Sequence, residues 1–212
     1  MIYLEILTIP YYISLHDRSN LLTQLTENER RYISQFNAHT LLFHAIGIVL
    51  LKRELAERFC VKTPEIVHTH KGKPVLSTQE HLFCSLSYSN PYIACAISNT
   101  HEIGIDIEVE NPKNQIIAKR FYTPSESSYV TQDETLELHR FYEIWVKKES
   151  YLKMIGTGFH TPPFSFNVLD GESLVKSFFY PFPQIGPYQG CLCTRGLDTC
   201  IFNYTQFSSL LE

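Results

Sequence analysis

The sequence is poor in charge and contains no long apolar run. Charged residues make up 19% of the 212 positions, and 18 Lys and Arg against 22 Asp and Glu give a net charge of −4. Proteins that follow nucleic-acid phosphates normally carry a basic surface, so this balance argues against nucleic-acid binding. No stretch approaches the roughly 18 apolar residues of a membrane-spanning helix, and we therefore expect no membrane segment.

The first 15 residues contain no Lys or Arg, and Glu5 interrupts their apolar pattern. A secretory signal peptide begins with a basic segment, so we expect a strand here and a cytoplasmic protein. The six cysteines lack the spacing of a disulfide framework, and a chain of this size does not need disulfides for stability. We predict buried free thiols, including Cys191 and Cys193 on one strand.

Aromatic residues are abundant at 13%, which excludes a disordered or collagen-like chain. A chain of this length buries roughly 70% of its unfolded surface, enough for one large domain or two small lobes. Thr26 and Glu29 have the spacing of a capping box that begins a helix. Apolar periodicities predict an α+β fold of two lobes, 1–103 and 104–212, with further helices at 45–60, 114–121 and 136–155 and strands at 2–7, 82–87, 92–98, 103–109, 164–169, 174–180, 190–194 and 200–204.

Two carboxylates alternate on the strand predicted at 103–109, within Gly104-Ile105-Asp106-Ile107-Glu108. Side chains alternate faces along a strand, so Asp106 and Glu108 point to one side while the isoleucines enter the core. Neighbouring buried carboxylates raise each other's pKa unless a cation lies between them. Both a metal site and an ordinary solvent-facing strand explain such a pair.

The helix predicted at 136–155 carries a third carboxylate on its apolar face. Glu149 lies near the middle of that face, where a carboxylate is costly unless it is paired or binds a metal. Lys148 and Lys153 lie on opposite edges of the face, and a surface salt bridge between Glu149 and Lys153 is the alternative interpretation. The face consists of Leu138, Phe141, Tyr142, Trp145 and Leu152.

The three acids and two lysines together suit a diphosphate bound through Mg²⁺. This ion prefers hard oxygen ligands, is typically held by few carboxylates, and completes its octahedron with phosphate oxygens and water. The lysines would neutralise charge on a transferred phosphoryl group. The residues alone therefore predict a magnesium-dependent site for phosphoryl chemistry.

Two motifs resemble the paired signature of the 4′-phosphopantetheinyl transferases. GIDIE at 104–108 is similar to the first half of that signature, and WVKKESYLK at 145–153 is similar to the second. Segments 72–74, 86–89 and 120–126 agree with the same family. At this length the chain resembles the two-lobed type that activates surfactin synthetase. The resemblance implies two similar α+β lobes related by a pseudo-two-fold axis, with a ligand cleft between them.

The resemblance also implies a reaction, in which the 4′-phosphopantetheine arm of coenzyme A moves to a serine of an apo acyl or peptidyl carrier protein and 3′,5′-ADP is released. It makes Asp106, Glu108 and Glu149 ligands of Mg²⁺, with Mn²⁺ as an alternative metal. Glu149 also matches the base that deprotonates the serine, and Lys153 matches the lysine that contacts the phosphate. The residues implied in binding the substrate coenzyme A are Arg31, Lys73, Pro74, Ser87, Tyr88, Ser89, Lys148 and Lys153.

Two positions depart from the family pattern. Family members often carry histidine where Tyr88 stands, and an ungapped match over 27–47 puts Phe43 where an arginine commonly meets the 3′-phosphate. A tyrosine hydroxyl donates a hydrogen bond without a positive charge, and phenylalanine donates none. Both departures predict weaker recognition of coenzyme A than is usual in the family.

Two other functions use the same residues. The three acids would also serve a magnesium-dependent phosphohydrolase acting on a nucleotide diphosphate, and the departures are compatible with a non-catalytic protein that binds coenzyme A or a carrier. We expect a monomer that meets its carrier transiently, through an apolar patch that includes Tyr151, Phe159 and Pro162–Pro163.

Overall fold

The computed structural model describes residues 1–78, 81–170, 174, 176–183 and 185–211. Helices and mostly antiparallel sheets make up this part of the chain, which confirms the α+β class. Within the described ranges, no helix is both long enough and apolar enough to cross a membrane. The chain divides into two compact units, one formed by residues 1–100 with the segment from Thr199 onward and the other by His101–Asp198.

The nine strands of the described residues are β1 (Ile2–Thr8), β2 (Ile66–His68), β3 (Pro74–Leu76), β4 (Phe83–Ser89), β5 (Tyr92–Ser98), β6 (Ile103–Val109), β7 (Phe178–Pro181), β8 (Tyr188–Thr194) and β9 (Cys200–Gln206). The α-helices are α1 (Leu15–Thr23), α2 (Glu27–Ile33), α3 (Ala38–Phe59), α4 (Ala118–Phe121), α5 (Pro124–Thr131) and α6 (Glu137–Ile155).

The first unit is a four-stranded sheet, in the order β4-β5-β1-β9, covered by α3. Thr26 caps α2 and Glu29 completes the predicted capping box. β9 pairs in parallel with β1, from Ile2 opposite Cys200 to Thr8 opposite Gln206. This pairing places the C-terminal segment in the first unit, whereas the sequence predicted it in a 104–212 lobe.

The second unit is a three-stranded antiparallel sheet, in the order β6-β8-β7, with α6 packed on β6. The strand predicted at 164–169 is wrong, because Pro163–Ser165 forms a 3-10 turn instead. The helix predicted at 114–121 begins as a 3-10 turn, Pro112–Ile117, before α4. Only the end of the strand predicted at 174–180 is regular, as β7, and part of that segment lies outside the described residues.

Both units contain a corresponding order of strands and a buried glutamate that pairs with a lysine. The strand order β4-β5-β1 in one corresponds to β7-β8-β6 in the other, and each sheet meets one long helix. In the first unit, Glu29 accepts hydrogen bonds from the Thr26 and Ile66 amides and from Lys52 on the long helix. Its counterpart in the second unit is Glu126, which accepts from the Thr123 and Val168 amides and forms an ion pair with Lys148. Each unit thus combines a sheet, a long helix and a buried glutamate that is paired with a lysine of that helix.

Candidate active site

The acidic site begins with a close contact between strand β6 and helix α6. A Cβ at Gly104 would lie 2.0 Å from Ser150 O and 2.3 Å from Met154 N, so glycine is required where the helix backbone crosses the strand. This contact brings Glu149 and Lys153 of α6 near the carboxylates that follow Gly104 on β6. The packing of α6 on β6 therefore brings the residues of the two motifs together.

Asp106 is the most buried of the three predicted metal ligands, and Lys153 contacts it. Lys153 Nζ lies 2.7 Å from Asp106 Oδ1, with 4% of the Asp106 side chain and 32% of the Lys153 side chain exposed. The lysine is therefore accessible on one side while neutralising a buried carboxylate on the other. The ion pair that the structure gives Lys153 is with the buried Asp106, and the charge of Lys153 also lowers the pKa of Glu149.

Glu108 and Glu149 both show the electrostatic effect of a crowded acidic site. Burial, and then the charge of Asp106, raises the pKa of Glu149 to about 7, while Lys153 opposes the shift. The pKa of Glu108 is likewise raised to about 7 by burial, by Asp106 and by Glu149. The three predicted acids thus interact strongly, and a cation among them would favour their charged forms.

The donor set suits a hard divalent cation, although the acids are not arranged as a closed metal cage. Among the described residues, no group of three or more His, Cys, Asp or Glu side chains has the arrangement of a formed metal site. Mg²⁺ does not need such a cage, because it is usually bound through one or two carboxylates together with substrate phosphates and water. The excess of negative charge on Asp106, Glu108 and Glu149 is what a cation would neutralise.

Lys148 does not belong to this site, which corrects the prediction that it binds coenzyme A. Its side chain is 2% exposed and its ammonium lies 2.8 Å from Glu126 Oε2. The same Nζ donates to Pro163 O and Phe166 O, both at 2.7 Å. All three ammonium protons therefore have buried partners, and Lys148 ties the 163–166 segment to α6.

The residues predicted to bind coenzyme A in the first unit lie on three elements. Lys73 precedes β3 and Pro74 begins it, while Ser87 and Ser89 are buried at the end of β4. Arg31 is exposed on α2 and forms a surface pair with Glu27 at 3.4 Å. The structure thus places these residues in the first unit, and their predicted contacts with coenzyme A stay predictions.

Tyr88 packs against the long helix of its own unit. A Cβ at Gly47 would lie 2.5 Å from Tyr88 Oη, so this glycine makes room for the hydroxyl on α3. The Tyr88 ring centroid is 4.8 Å from that of His44. Burial raises the pKa of Tyr88. Tyr88 is therefore a packing residue of the first unit, and its predicted contact with a diphosphate stays a prediction.

The sequence analysis missed a cluster of imidazole and aromatic rings beside Tyr88. Tyr32 and His68 stack with centroids 3.5 Å apart, and Phe36 and His44 stack at 4.0 Å. Burial, followed by the charge of His44, lowers the pKa of His68 to about 4, so the imidazole is neutral at pH 7. These rings come from α2, the turn that follows it, α3 and β2, and no local motif signals their contact.

Buried acids beside a partly exposed lysine, where one helix crosses a sheet, form a class of site suited to phosphate esters. The family model that matches the chain is that of the 4′-phosphopantetheinyl transferase superfamily, over residues 102–194. This match lies within the second unit and includes both sequence motifs.

Comparisons with individual relatives agree with the family model. The chain is 32% identical over 187 residues to a 4′-phosphopantetheinyl transferase of Bacillus subtilis, with 82% of each chain covered. It is 31% identical over 145 residues to the 4′-phosphopantetheinyl transferase Sfp of Bacillus subtilis (strain 168), which covers 67% of this chain and 63% of that protein. It is 28% identical to the 4′-phosphopantetheinyl transferase gsp of Aneurinibacillus migulanus over 170 residues, or 78% of this chain and 70% of that protein. The chain belongs to the 4′-phosphopantetheinyl transferase superfamily.

Proposed function

We propose that this chain transfers the 4′-phosphopantetheine arm of coenzyme A to a serine hydroxyl of an apo carrier protein. The serine oxygen forms a bond to the phosphorus that bears pantetheine, and the bond from that phosphorus to the bridging oxygen breaks. The bridging oxygen leaves with 3′,5′-ADP, and the serine loses its proton to the protein. Membership of the superfamily and the names of the matched relatives support this reaction.

The acidic site supplies the groups that this reaction needs. Glu149 lies beside Asp106 and Lys153, and a bound cation would keep it in the charged form that can accept the serine proton. Lys153 would stabilise negative charge on the leaving oxygen. Asp106, Glu108 and Glu149 would hold a divalent cation, for which we propose Mg²⁺ or Mn²⁺. When bound, the cation supplies charge stabilisation to the diphosphate.

The observation that carries the proposal is the contact of Lys153 with Asp106 beside two carboxylates of raised pKa. The test is to incubate the protein with coenzyme A, Mg²⁺ and a panel of apo carrier domains, and to measure the intact mass of each carrier. Transfer of the arm adds about 340 Da to the carrier serine. We expect that gain with at least one carrier and its loss when EDTA removes the metal.

The competing functions give different results in the same assay. Hydrolysis of coenzyme A without any carrier would identify a phosphohydrolase. Tight binding of coenzyme A with no chemical change would identify a binding protein. No mass gain with any of several unrelated carriers would contradict the proposed transfer.

We also propose that the two units share one architecture, as the family resemblance implies. The shared strand order and the matching Glu29–Lys52 and Glu126–Lys148 pairs support this relationship. We further propose a monomeric, cytoplasmic enzyme that meets its carrier transiently. The six cysteines are free, which suits a reducing compartment. Four of them are buried as predicted (Cys84, Cys95, Cys191 and Cys193), whereas the prediction of burial is wrong for the exposed Cys60 and for Cys200, which is only partly buried.

A further inference from the structure

Three polar side chains of the second unit meet where β6 ends. Glu110 directly follows β6, His139 lies in the first turn of α6, and Gln189 is the second residue of β8. The Glu110 amide donates to Pro187 O at 2.8 Å, which continues the pairing of the two strands by one residue. Three separate elements thus bring a carboxylate, an imidazole and a carboxamide to the same place.

The register of β6 and β8 explains why these side chains face one another. Gln189 lies opposite Glu108, and side chains two residues apart on a strand point to the same face. Glu110 therefore shares a face with Glu108, and Gln189 is its diagonal neighbour. Gly104 lies on this face too and contacts α6, so the helix that carries His139 covers the same side of the sheet.

The polar atoms of the three side chains approach one another closely. Gln189 Nε2 donates to Glu110 Oε1 at 2.8 Å, and His139 Nδ1 lies 3.2 Å from the same oxygen. The amide nitrogen of Gln189 also lies 2.5 Å from Nδ1 and 3.4 Å from Nε2 of His139. The Glu110 side chain is 18% exposed and the His139 side chain 46%, so solvent reaches the cluster from one side.

Hydrogen bonds alone do not satisfy all of these contacts. An amide nitrogen offers only protons, an ionised carboxylate offers only lone pairs, and a neutral imidazole nitrogen offers one or the other. If His139 Nδ1 accepts from Gln189, its lone pair faces the Glu110 carboxylate. If it instead carries a proton for Glu110, that proton faces the amide protons of Gln189.

A cation removes this conflict. Turning over the Gln189 amide exchanges its oxygen and nitrogen, and a carboxylate oxygen, an imidazole nitrogen and an amide oxygen then all direct lone pairs at one ion. Ligand atoms that share an ion at about 2.0–2.2 Å lie roughly 3 Å apart, which is the spacing of the three atoms in this cluster.

We infer that Glu110, His139 and Gln189 form a binding site for a divalent transition-metal ion such as Zn²⁺. Imidazole is a ligand of Zn²⁺ and its first-row neighbours, whereas Mg²⁺ prefers oxygen ligands. Three protein ligands leave a coordination position for water on the exposed side. The ion would connect the first turn of α6 to β6 and β8, and it is separate from the cation proposed at the acidic site.

The test is calorimetric titration of the whole protein with Zn²⁺ in excess Mg²⁺, which competes for the acidic site. We expect one Zn²⁺ per chain, and binding at least about tenfold weaker for His139→Ala. His160→Ala removes another exposed histidine of the same unit and should bind Zn²⁺ like wild type. Glu149→Gln removes a proposed Mg²⁺ ligand and should also keep this Zn²⁺ affinity.

Gln189→Glu distinguishes a metal site from a cluster held only by hydrogen bonds. A second carboxylate binds Zn²⁺ more tightly, by about tenfold or more, but repels Glu110 when no ion is bound. We therefore expect a lower Tm than wild type without Zn²⁺ and a larger rise in Tm when Zn²⁺ is added. The same loss of stability with no gain in Zn²⁺ affinity would overturn the inference.

Three other results would overturn it as well. These are absence of Zn²⁺ binding by wild type, equal Zn²⁺ affinity of wild type and His139→Ala, and loss of binding in Glu149→Gln with full binding in His139→Ala, which would place the ion at the acidic site. The titrations contain no coenzyme A and no carrier, so their outcome is independent of the proposed transfer.

Discussion

At the scale of single residues, the depth of burial distinguishes two lysines of the same helix, α6. Lys153 and Lys148 are five residues apart on α6, yet only the Lys153 side chain is partly exposed and pairs with the acidic site. Lys148 is sealed against Glu126 and two carbonyl oxygens. The sequence pattern placed both lysines on the edges of one helical face. It did not reveal that Lys148 pairs with the buried Glu126.

Replacing Lys148 with alanine should destabilise the protein much more than replacing its neighbour. Lys148→Ala leaves Glu126 as a buried charge without its ion-pair partner, and we expect a loss of about 3–5 kcal/mol in the free energy of unfolding. Lys147→Ala removes a partly exposed pair with Glu143 and should cost less than about 1 kcal/mol. Denaturant unfolding of both variants checks this, and similar losses would contradict a structural role for Lys148.

Glu5 predicts a pH dependence of stability in the first unit. Burial, and then the charge of Glu54, raises its pKa to about 7, while Arg53, Arg58 and a hydrogen bond with Asn203 oppose the shift. The folded state therefore binds the proton more tightly than the unfolded state. The stabilisation is complete below pH of about 4.5 and is lost as pH rises through about 7.

Glu5→Gln should remove this dependence. We expect the variant to be about 1–3 kcal/mol more stable than wild type at pH 8, with little difference at pH 4.5. Thermal unfolding across this range measures the effect, and Glu57→Gln, an exposed carboxylate of α3, is the matched control. If wild type and Glu5→Gln respond identically to pH, the buried charge of Glu5 is not the cause.

At the scale of elements, the approach of α6 to β6 positions the site. A methyl group at Gly104 would meet helix backbone, which cannot rotate away as a side chain can. Gly104→Ala should therefore shift α6, lower the stability by about 1–3 kcal/mol and reduce kcat/KM by about a hundredfold.

Gly196→Ala is the control for that substitution. A Cβ there would meet the end of the His101 ring at 2.5 Å, and a side chain can move aside. We expect nearly normal stability and activity from this variant. Equal transfer rates for Gly104→Ala and wild type would show that the close crossing of α6 is not needed for the site.

The sequence predicts an element well when the residues that determine it lie within a few positions of one another. The Thr26–Glu29 capping box, β6 and the end of α6 at residue 155 were all predicted and are confirmed. The 164–169 segment was predicted as a strand from its alternating apolar residues. The carbonyl oxygens of Phe166 and of the preceding Pro163 instead accept hydrogen bonds from Lys148, a contact that sequence spacing does not reveal.

At the scale of the whole molecule, the limits of prediction come from contacts between distant parts of the chain. β9 pairs with β1 across almost the full sequence, so the predicted C-terminal lobe included residues that belong to the first unit. The two buried pairs, Glu29–Lys52 and Glu126–Lys148, are also not evident from the sequence, because their members are 23 residues apart in one unit and 22 in the other. The acidic site was predictable because two compact motifs carry nearly all of its charged groups.

The central claim is that the acids of β6 and α6 carry out transfer of the phosphopantetheine arm. Intact mass of an apo carrier after reaction with coenzyme A and Mg²⁺ tests it most directly, when Glu149→Gln is compared with Glu143→Gln on the same helix. We predict the mass gain of about 340 Da for wild type and Glu143→Gln, and at least a thousandfold slower transfer for Glu149→Gln in spite of normal unfolding. Transfer by Glu149→Gln at the wild-type rate would contradict the account.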